Sequence, residues 1–288
     1  MTPAHSTPGA SRCMAAGVGG RWFRARCLAV LSVCALASAG CAVARQPAPP
    51  AIAPPLPDAA TLSQVIERQR LARTSLRALA RVSYSGPEDK GRARQVVLVE
   101  RPARLRFEVL SALGSVFVLT ADNGALAAYV PRESTVYRGQ ASRQNLERYA
   151  RVDLSVSDAV ELLLGTPPAR AGRNDVVSFE AATDSIELWR ELDDGAQVVW
   201  FNRALQPVAA EDRASDGTAR WRAQFTAFAE EHAELPAHIT IELPSDGRRI
   251  DLELSDIEVN PVLAEPLFTL ATPPGAHEVQ LDQVGAES

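Results

Sequence analysis

Along residues 104–110 apolar and charged side chains alternate without a break, with Leu105, Phe107 and Val109 falling between Arg104, Arg106 and Glu108. Ile250, Leu252 and Leu254 alternate with Asp251, Glu253 and Ser255, and Trp221, Ala223 and Phe225 alternate with Arg220, Arg222 and Gln224. A period of two sends successive side chains to opposite faces, so these runs predict strands of a sheet with one dry and one solvated face. Further runs rich in β-branched and aromatic residues lie at 81–85, 95–100, 115–121, 125–130, 176–181, 185–192, 197–202, 207–212 and 237–243. Gly86-Pro87, Arg101-Pro102, Asp122-Asn123-Gly124 and Pro131-Arg132-Glu133 punctuate them. Asn-Gly between two such runs is a strong hairpin signal, and it predicts antiparallel neighbours.

Three segments carry a helical period instead. Thr61-Leu62-Ser63-Gln64 has the form of a capping box, followed by Val65, Ile66, Ala72 and Leu76, which predicts a helix over 62–76. Ser142 is placed to cap a helix running to Tyr149. Ser157-Asp158 opens a third helix that ends at Leu162-Leu163-Leu164-Gly165 before Pro167-Pro168, a usual stop arrangement. The expected fold is mainly β within the α+β class: a large curved antiparallel sheet of about 11 strands, forming an unclosed half-barrel. The three helices would form a lid, and a modest lid over an apolar face leaves room for a cavity.

The two ends read differently. Arg12, Arg21, Arg24 and Arg26 precede an apolar run over 27–39, too short to span a bilayer, where about 20 apolar residues are needed. This is the layout of a secretory signal over residues 1–40, with Met14 as an alternative start. Ala39-Gly40-Cys41 resembles the lipobox of bacterial lipoproteins, which implies lipidation of Cys41. Ala42 after that cysteine, rather than Asp, implies by the same resemblance an outer-membrane location, facing the periplasm. Cys41 is also the only cysteine after the signal, so no disulfide is available within the mature chain. Residues 42–57 hold six prolines in sixteen positions and predict an extended spacer, giving a lipidated linker over 41–60. The folded domain is expected over 61–275, with a tail at 276–288.

Charge and chemistry narrow the function further. Loss of the signal's four arginines leaves 26 Lys+Arg against 35 Asp+Glu, a net charge near −9. That argues against nucleic acid and against loose adsorption onto anionic lipid. The histidines His232, His238 and His277 show no metal-ligand spacing, and no nucleophile or phosphate-loop motif is present. Glu230-Glu231-His232 and Asp193-Asp194 are read as solvated turn residues, and Trp189, Trp200 and Trp221 as core. No catalytic residue, metal or cofactor is assigned, and the chain is expected to be a monomeric binding protein, not an enzyme.

One stretch stands out. Leu110-Ser111-Ala112-Leu113-Gly114-Ser115-Val116-Phe117 joins two predicted strands and places Leu113 at their turn, beside Gly114. Together with Ala127-Ala128-Tyr129, the helix from Ser142, Leu164-Gly165-Thr166-Pro167, Trp221-Arg222-Ala223-Gln224-Phe225 and Leu235-Pro236-Ala237-His238-Ile239, it resembles in order the LolA/LolB-like superfamily, nearest its LolB branch of outer-membrane lipoprotein receptors. The resemblance covers residues 61–260. Ala112 replaces a usual proline, and residues 260–275 are more like the end of LolA. The resemblance implies a half-barrel whose cavity takes the acyl chains of lipoproteins, with Leu105, Phe107, Val109, Val116, Val118 and Phe225 as wall candidates. It implies that Leu113 and Gly114 form a membrane-insertion turn. The implied partners are lipidated proteins, a soluble periplasmic LolA-like carrier and outer-membrane lipid. A lipid or lipoprotein sensor, or a carrier of another hydrophobic ligand, is the second reading.

Overall fold

The computed structural model describes residues 55–228 and 235–282. The signal segment, Cys41, most of the proline-rich spacer and Glu230-Glu231-His232 lie outside the described residues. The compact unit Pro54–Ser288 holds every residue of the described cores, so among the described residues its packing is self-contained.

Helix α1, Ala59–Ala72, begins earlier than the sequence predicts. Asp58 is its N-cap, and its carboxylate accepts the Thr61 backbone N–H at 2.7 Å. Thr61 therefore lies inside the first turn, and the expected capping box does not form. The helix also ends earlier than 76, because Leu76 is claimed by pairing with Val99 and Val259 and is fully buried in a strand. Cooperative pairing on both sides overrides a helical spacing that fits Leu76 equally well.

Fourteen strands form one sheet. The first six are β1 (Ser75–Ser85), β2 (Lys90–Glu100), β3 (Arg104–Ser111), β4 (Gly114–Asp122), β5 (Ala125–Val130) and β6 (Thr135–Gln140). After two helices follow β7 (Asp175–Glu180), β8 (Ser185–Leu192), β9 (Gly195–Phe201), β10 (Pro207–Ala214), β11 (Ala219–Phe228), β12 (Pro236–Leu243) and β13 (Arg248–Val259). Strand β14, His277–Gln280, is the last. Their order is β14-β6-β5-β4-β3-β2-β1-β13-β12-β11-β10-β9-β8-β7, so the sheet is unclosed. It is antiparallel except where β14 pairs with β6 in parallel.

The count exceeds the expected eleven or so because two strands carry little apolar signal of their own. Strand β6 reads Thr-Val-Tyr-Arg-Gly-Gln, and β14 reads His-Glu-Val-Gln. The second lies in the stretch expected to be tail, so the sheet continues past residue 275. An available edge on β6, not local propensity, makes β14 a strand.

Helices α2 (Arg143–Ala150) and α3 (Val156–Leu163) sit between β6 and β7. Ser142 caps α2 by accepting the Asn145 N–H at 3.2 Å. Helix α3 is capped by Ser155 rather than Ser157, its hydroxyl accepting the Asp158 N–H at 3.1 Å. At its other end Gly165 has φ +68°, and the Thr166 N–H reaches back to Glu161 O at 3.0 Å. This is the left-handed closure that glycine permits at the end of a helix.

The inner face of the sheet and the three helices share one core. Leu76, Val97, Leu105, Leu119, Phe201, Trp221, Phe225 and Ile239 are all buried in it. The outer face carries a smaller cluster of Leu98, Leu263 and Phe268. It is made by the chain after β13, which crosses β3 and β4 through a short 3-10 turn, Glu265–Phe268, on its way to β6. Arg106 donates to Leu267 O at 3.3 Å and Arg138 to Leu270 O at 2.8 Å, pinning this strap.

Candidate functional site

A cavity of about 210 Å³ lies between the sheet's inner face and the helices. Its floor is Val82 and Tyr84 of β1, Ala93 and Gln95 of β2, Phe107 and Val109 of β3, Phe117 of β4, and Ile241, Ile250 and Leu252 of β12 and β13. Its roof is Leu146, Tyr149 and Ala150 of α2, the link Arg151, Val152 and Leu154, and Ala159 and Leu163 of α3. The lining is almost wholly apolar. Gln95, the two tyrosines and Arg151 are its polar members, and Arg151 stands at the α2 terminus with φ +61°, its guanidinium 3.8 Å from Asp89. Burial holds the Tyr149 phenol above its usual pKa, so this rim group is neutral at any physiological pH.

Two of the six expected wall residues, Phe107 and Val109, line the cavity. Leu105 and Phe225 share the inner face but are fully buried in packed core away from it. Val116 and Val118 are displaced by a β-bulge. Leu110 pairs with Ser115, yet Val109 pairs with Phe117, leaving Val116 as the extra residue. An uninterrupted ladder would set Val116 and Val118 opposite Val109 and Phe107. The one-residue slip turns Phe117, Leu119 and Ala121 inward instead. Val118 then lies opposite Glu108 and Tyr129, and Val116 is exposed. Phe117 and the roof residues went unassigned in the sequence. The apolar side of the two helices was the available signal for the roof, whereas the bulge has no local one.

The turn itself is built to hold a leucine outward. Gly114 has φ +115°, and a side chain there would meet nothing within 4 Å. Ser111 Oγ accepts the Leu113 N–H at 3.2 Å and donates to Gly114 O at 2.8 Å. With the backbone satisfied locally, Leu113 projects at 101 % relative exposure, flanked by exposed Leu110 and Val116. At the base of the turn Glu108 accepts from Ser115 Oγ and pairs with Arg106, which hold its carboxyl below the usual carboxylate range.

The other charged groups noted in the sequence are engaged elsewhere. Asp193 faces Arg173 and Asp194 faces Arg220 on outer turns, while His238 lies 3.6 Å from Asp251. Buried Glu161 binds Arg70, Arg101 and Thr166, tying α3 to α1 and to the start of the β2–β3 turn. Among the described residues no group of three or more His, Cys, Asp or Glu side chains is placed to hold a metal ion. No described helix is long and apolar enough to cross a membrane.

No protein-family model matches the chain, and no curated protein matches it in sequence. Solved structures do match. A DUF1329 family protein from Desulfovibrio piger superposes with a TM-score of 0.55 at 15 % identity, covering 73 % of this chain and 95 % of the other. A LolA superfamily protein from Nitrosomonas europaea superposes with a TM-score of 0.50 at 16 % identity, covering 75 % of this chain and 99 % of the other. At these identities the likeness is one of fold, shared with a DUF1329 family protein and a LolA superfamily protein.

Proposed function

We propose that this chain is an outer-membrane-anchored lipoprotein, attached through Cys41, that holds acyl chains of lipidated proteins in its cavity and helps insert them into the membrane. The observation that carries the reading is the pairing of an apolar cavity with a fully exposed leucine on the same hairpin: Val109 and Phe117 line the first, and Leu113 tips the second. An acyl chain gains about 0.8 kcal/mol per buried CH₂, so cargo of this kind moves between apolar sites and not through water. Neither the cavity nor the turn requires a cofactor. Cargo arrives from a soluble LolA-like carrier on this reading, and the proline-rich spacer gives the body reach from its anchor.

The size of the cavity favours a second reading. At about 210 Å³ it is smaller than the roughly 300–1,000 Å³ usual for ligand sites. A carrier of a smaller hydrophobic ligand fits it as it stands, whereas a multi-chain anchor requires α2 and α3 to lift.

The test measures loading and release separately. Val109→Trp, which fills the cavity, lowers affinity for a fluorescent fatty-acid probe by about tenfold or more, equivalent to at least 1.4 kcal/mol. Leu113→Glu leaves probe affinity and unfolding midpoint unchanged, but slows transfer of an acylated peptide to vesicles. Unchanged probe binding in the first variant would remove the cavity from the function, and unchanged transfer in the second would remove the turn.

A further inference from the structure

Charge on the outer face of the sheet is nearly everywhere paired. Arg77 meets Glu258, Arg81 meets Glu253, Arg220 meets Asp212, and Arg222 and Arg249 both meet Glu242. Lys90, Arg92 and Arg94 depart from this pattern. They alternate along β2 and are exposed, and none has an ion-pair partner among the described residues. Their face is fixed by their neighbours: Ala93 and Gln95 line the inner cavity, whereas Val96 and Leu98 belong with the strap on the outer side.

These cations stand beside the protruding turn. Arg94 is directly opposite Leu110, and continuing that register sets residues 112–113 level with residues 91–92. On the other flank Val118 pairs with Tyr129, which brings the short helix Pro131–Glu133 alongside the base of the turn. Its Arg132 is exposed and likewise lacks an ion-pair partner among the described residues. The nearby acids are mostly committed. Glu108 is held by Ser115 and Arg106, Glu133 by the Tyr137 hydroxyl at 2.6 Å, and Asp89 faces Arg151, while Glu88 sits in the turn before β2.

We propose that this end of the molecule docks onto an anionic lipid surface, with Leu113 and its apolar neighbours entering the interface and Lys90, Arg92, Arg94 and Arg132 lying over acidic headgroups. The inference rests on the reading of the turn as membrane-facing and adds the lipid class. An apolar wedge ringed by cations gains from both burial and charge, and each cation near an acidic surface strengthens attachment. The net charge near −9 opposes loose adsorption of the body as a whole but acts weakly on this docking, because fields fall off within about 8 Å at physiological salt and the headgroups sense mainly the nearest charges. The remaining surface is acidic on balance and orients the body with this end toward the headgroups.

The experiment uses the body 54–288 with vesicles of phosphatidylcholine alone or with about 30 % phosphatidylglycerol, where each neutralised cation should lower attachment about fivefold. Lys90→Gln, Arg92→Gln and Arg94→Gln together then reduce binding to the acidic vesicles by about a hundredfold, with binding to neutral vesicles, fatty-acid probe affinity and urea midpoint unchanged. Raising the salt weakens the unmodified body in the same way, which gives a check independent of the substitutions. Equal binding to both vesicle types, or a triple variant that binds like the parent, overturns the proposal. Loss of probe binding with charge-dependent docking intact would instead defeat the cavity reading and leave this one standing.

Discussion

Strand β4 begins and ends in a tight hairpin, and the two turns differ in what their backbones demand. At Asp122-Asn123-Gly124 the central residues have φ +41° and +114°, and the side chains are those that tolerate such angles. At Ser111-Ala112-Leu113-Gly114 the strained angle falls on Gly114 alone, φ +115°, and the residue before it is a leucine. The first turn is accounted for by its backbone. Nothing in the second requires Leu113, whose N–H is satisfied by Ser111 and whose side chain touches water all round. Exposure alone does not explain it, since Leu71 and Val262 are exposed as well; on the proposed reading Leu113 is kept for contact with a membrane. The same difference runs along β4: Leu119 at its middle is fully buried, whereas Val116 near its start is exposed by the bulge.

The sharpest way to break the contrast is at the strand's centre. Leu119→Ala deletes a fully buried side chain and should cost about 2–5 kcal/mol in urea denaturation, against less than about 0.5 for Leu113→Ser. Similar losses at both positions would mean that the turn leucine packs in solution.

A smaller effect separates the two turns themselves. Gly124→Ala puts a Cβ on a residue at φ +114°, and about 1–2 kcal/mol of stability should be lost through backbone strain alone, since no atom lies within 4 Å of the added carbon. Calorimetry that found Gly124→Ala neutral would show that this turn relaxes, and with it the claim that geometry alone explains its sequence.

The smallest expected effect concerns pH. Glu108 has a lowered pKa in the folded protein, chiefly through Ser115 and then Arg106, so its contribution is complete above the ordinary carboxylate range and lost as pH falls through the lowered value. Parent and Glu108→Gln should differ by a few tenths of a kcal/mol at neutral pH and converge in acid, as expected for a partly exposed ion pair. A gap that persists at low pH would assign the effect to packing rather than to charge.

The sequence by itself determined where most strands lie and which side of them is dry. Alternation at Leu105-Phe107-Val109, Trp221-Ala223-Phe225 and Ile250-Leu252-Leu254 places every one of these residues on the inner face, because a period of two is a local property of the chain. Ser142 and Gly165 marked a helix start and a helix end for equally local reasons, a free N–H to accept and a left-handed residue to supply. The tertiary structure decided what depends on a partner strand. Leu76 went to β1 because two neighbours were there to bind it, and His277–Gln280 became a strand because β6 offered an edge. Val116 and Val118 left the expected wall because one extra residue in β4 inverted the parity beyond it. The cavity's location, the strap across the outer face and the unpaired row Lys90, Arg92 and Arg94 all follow from which strands lie side by side. That information is held in long-range pairing, where no single stretch of sequence carries it.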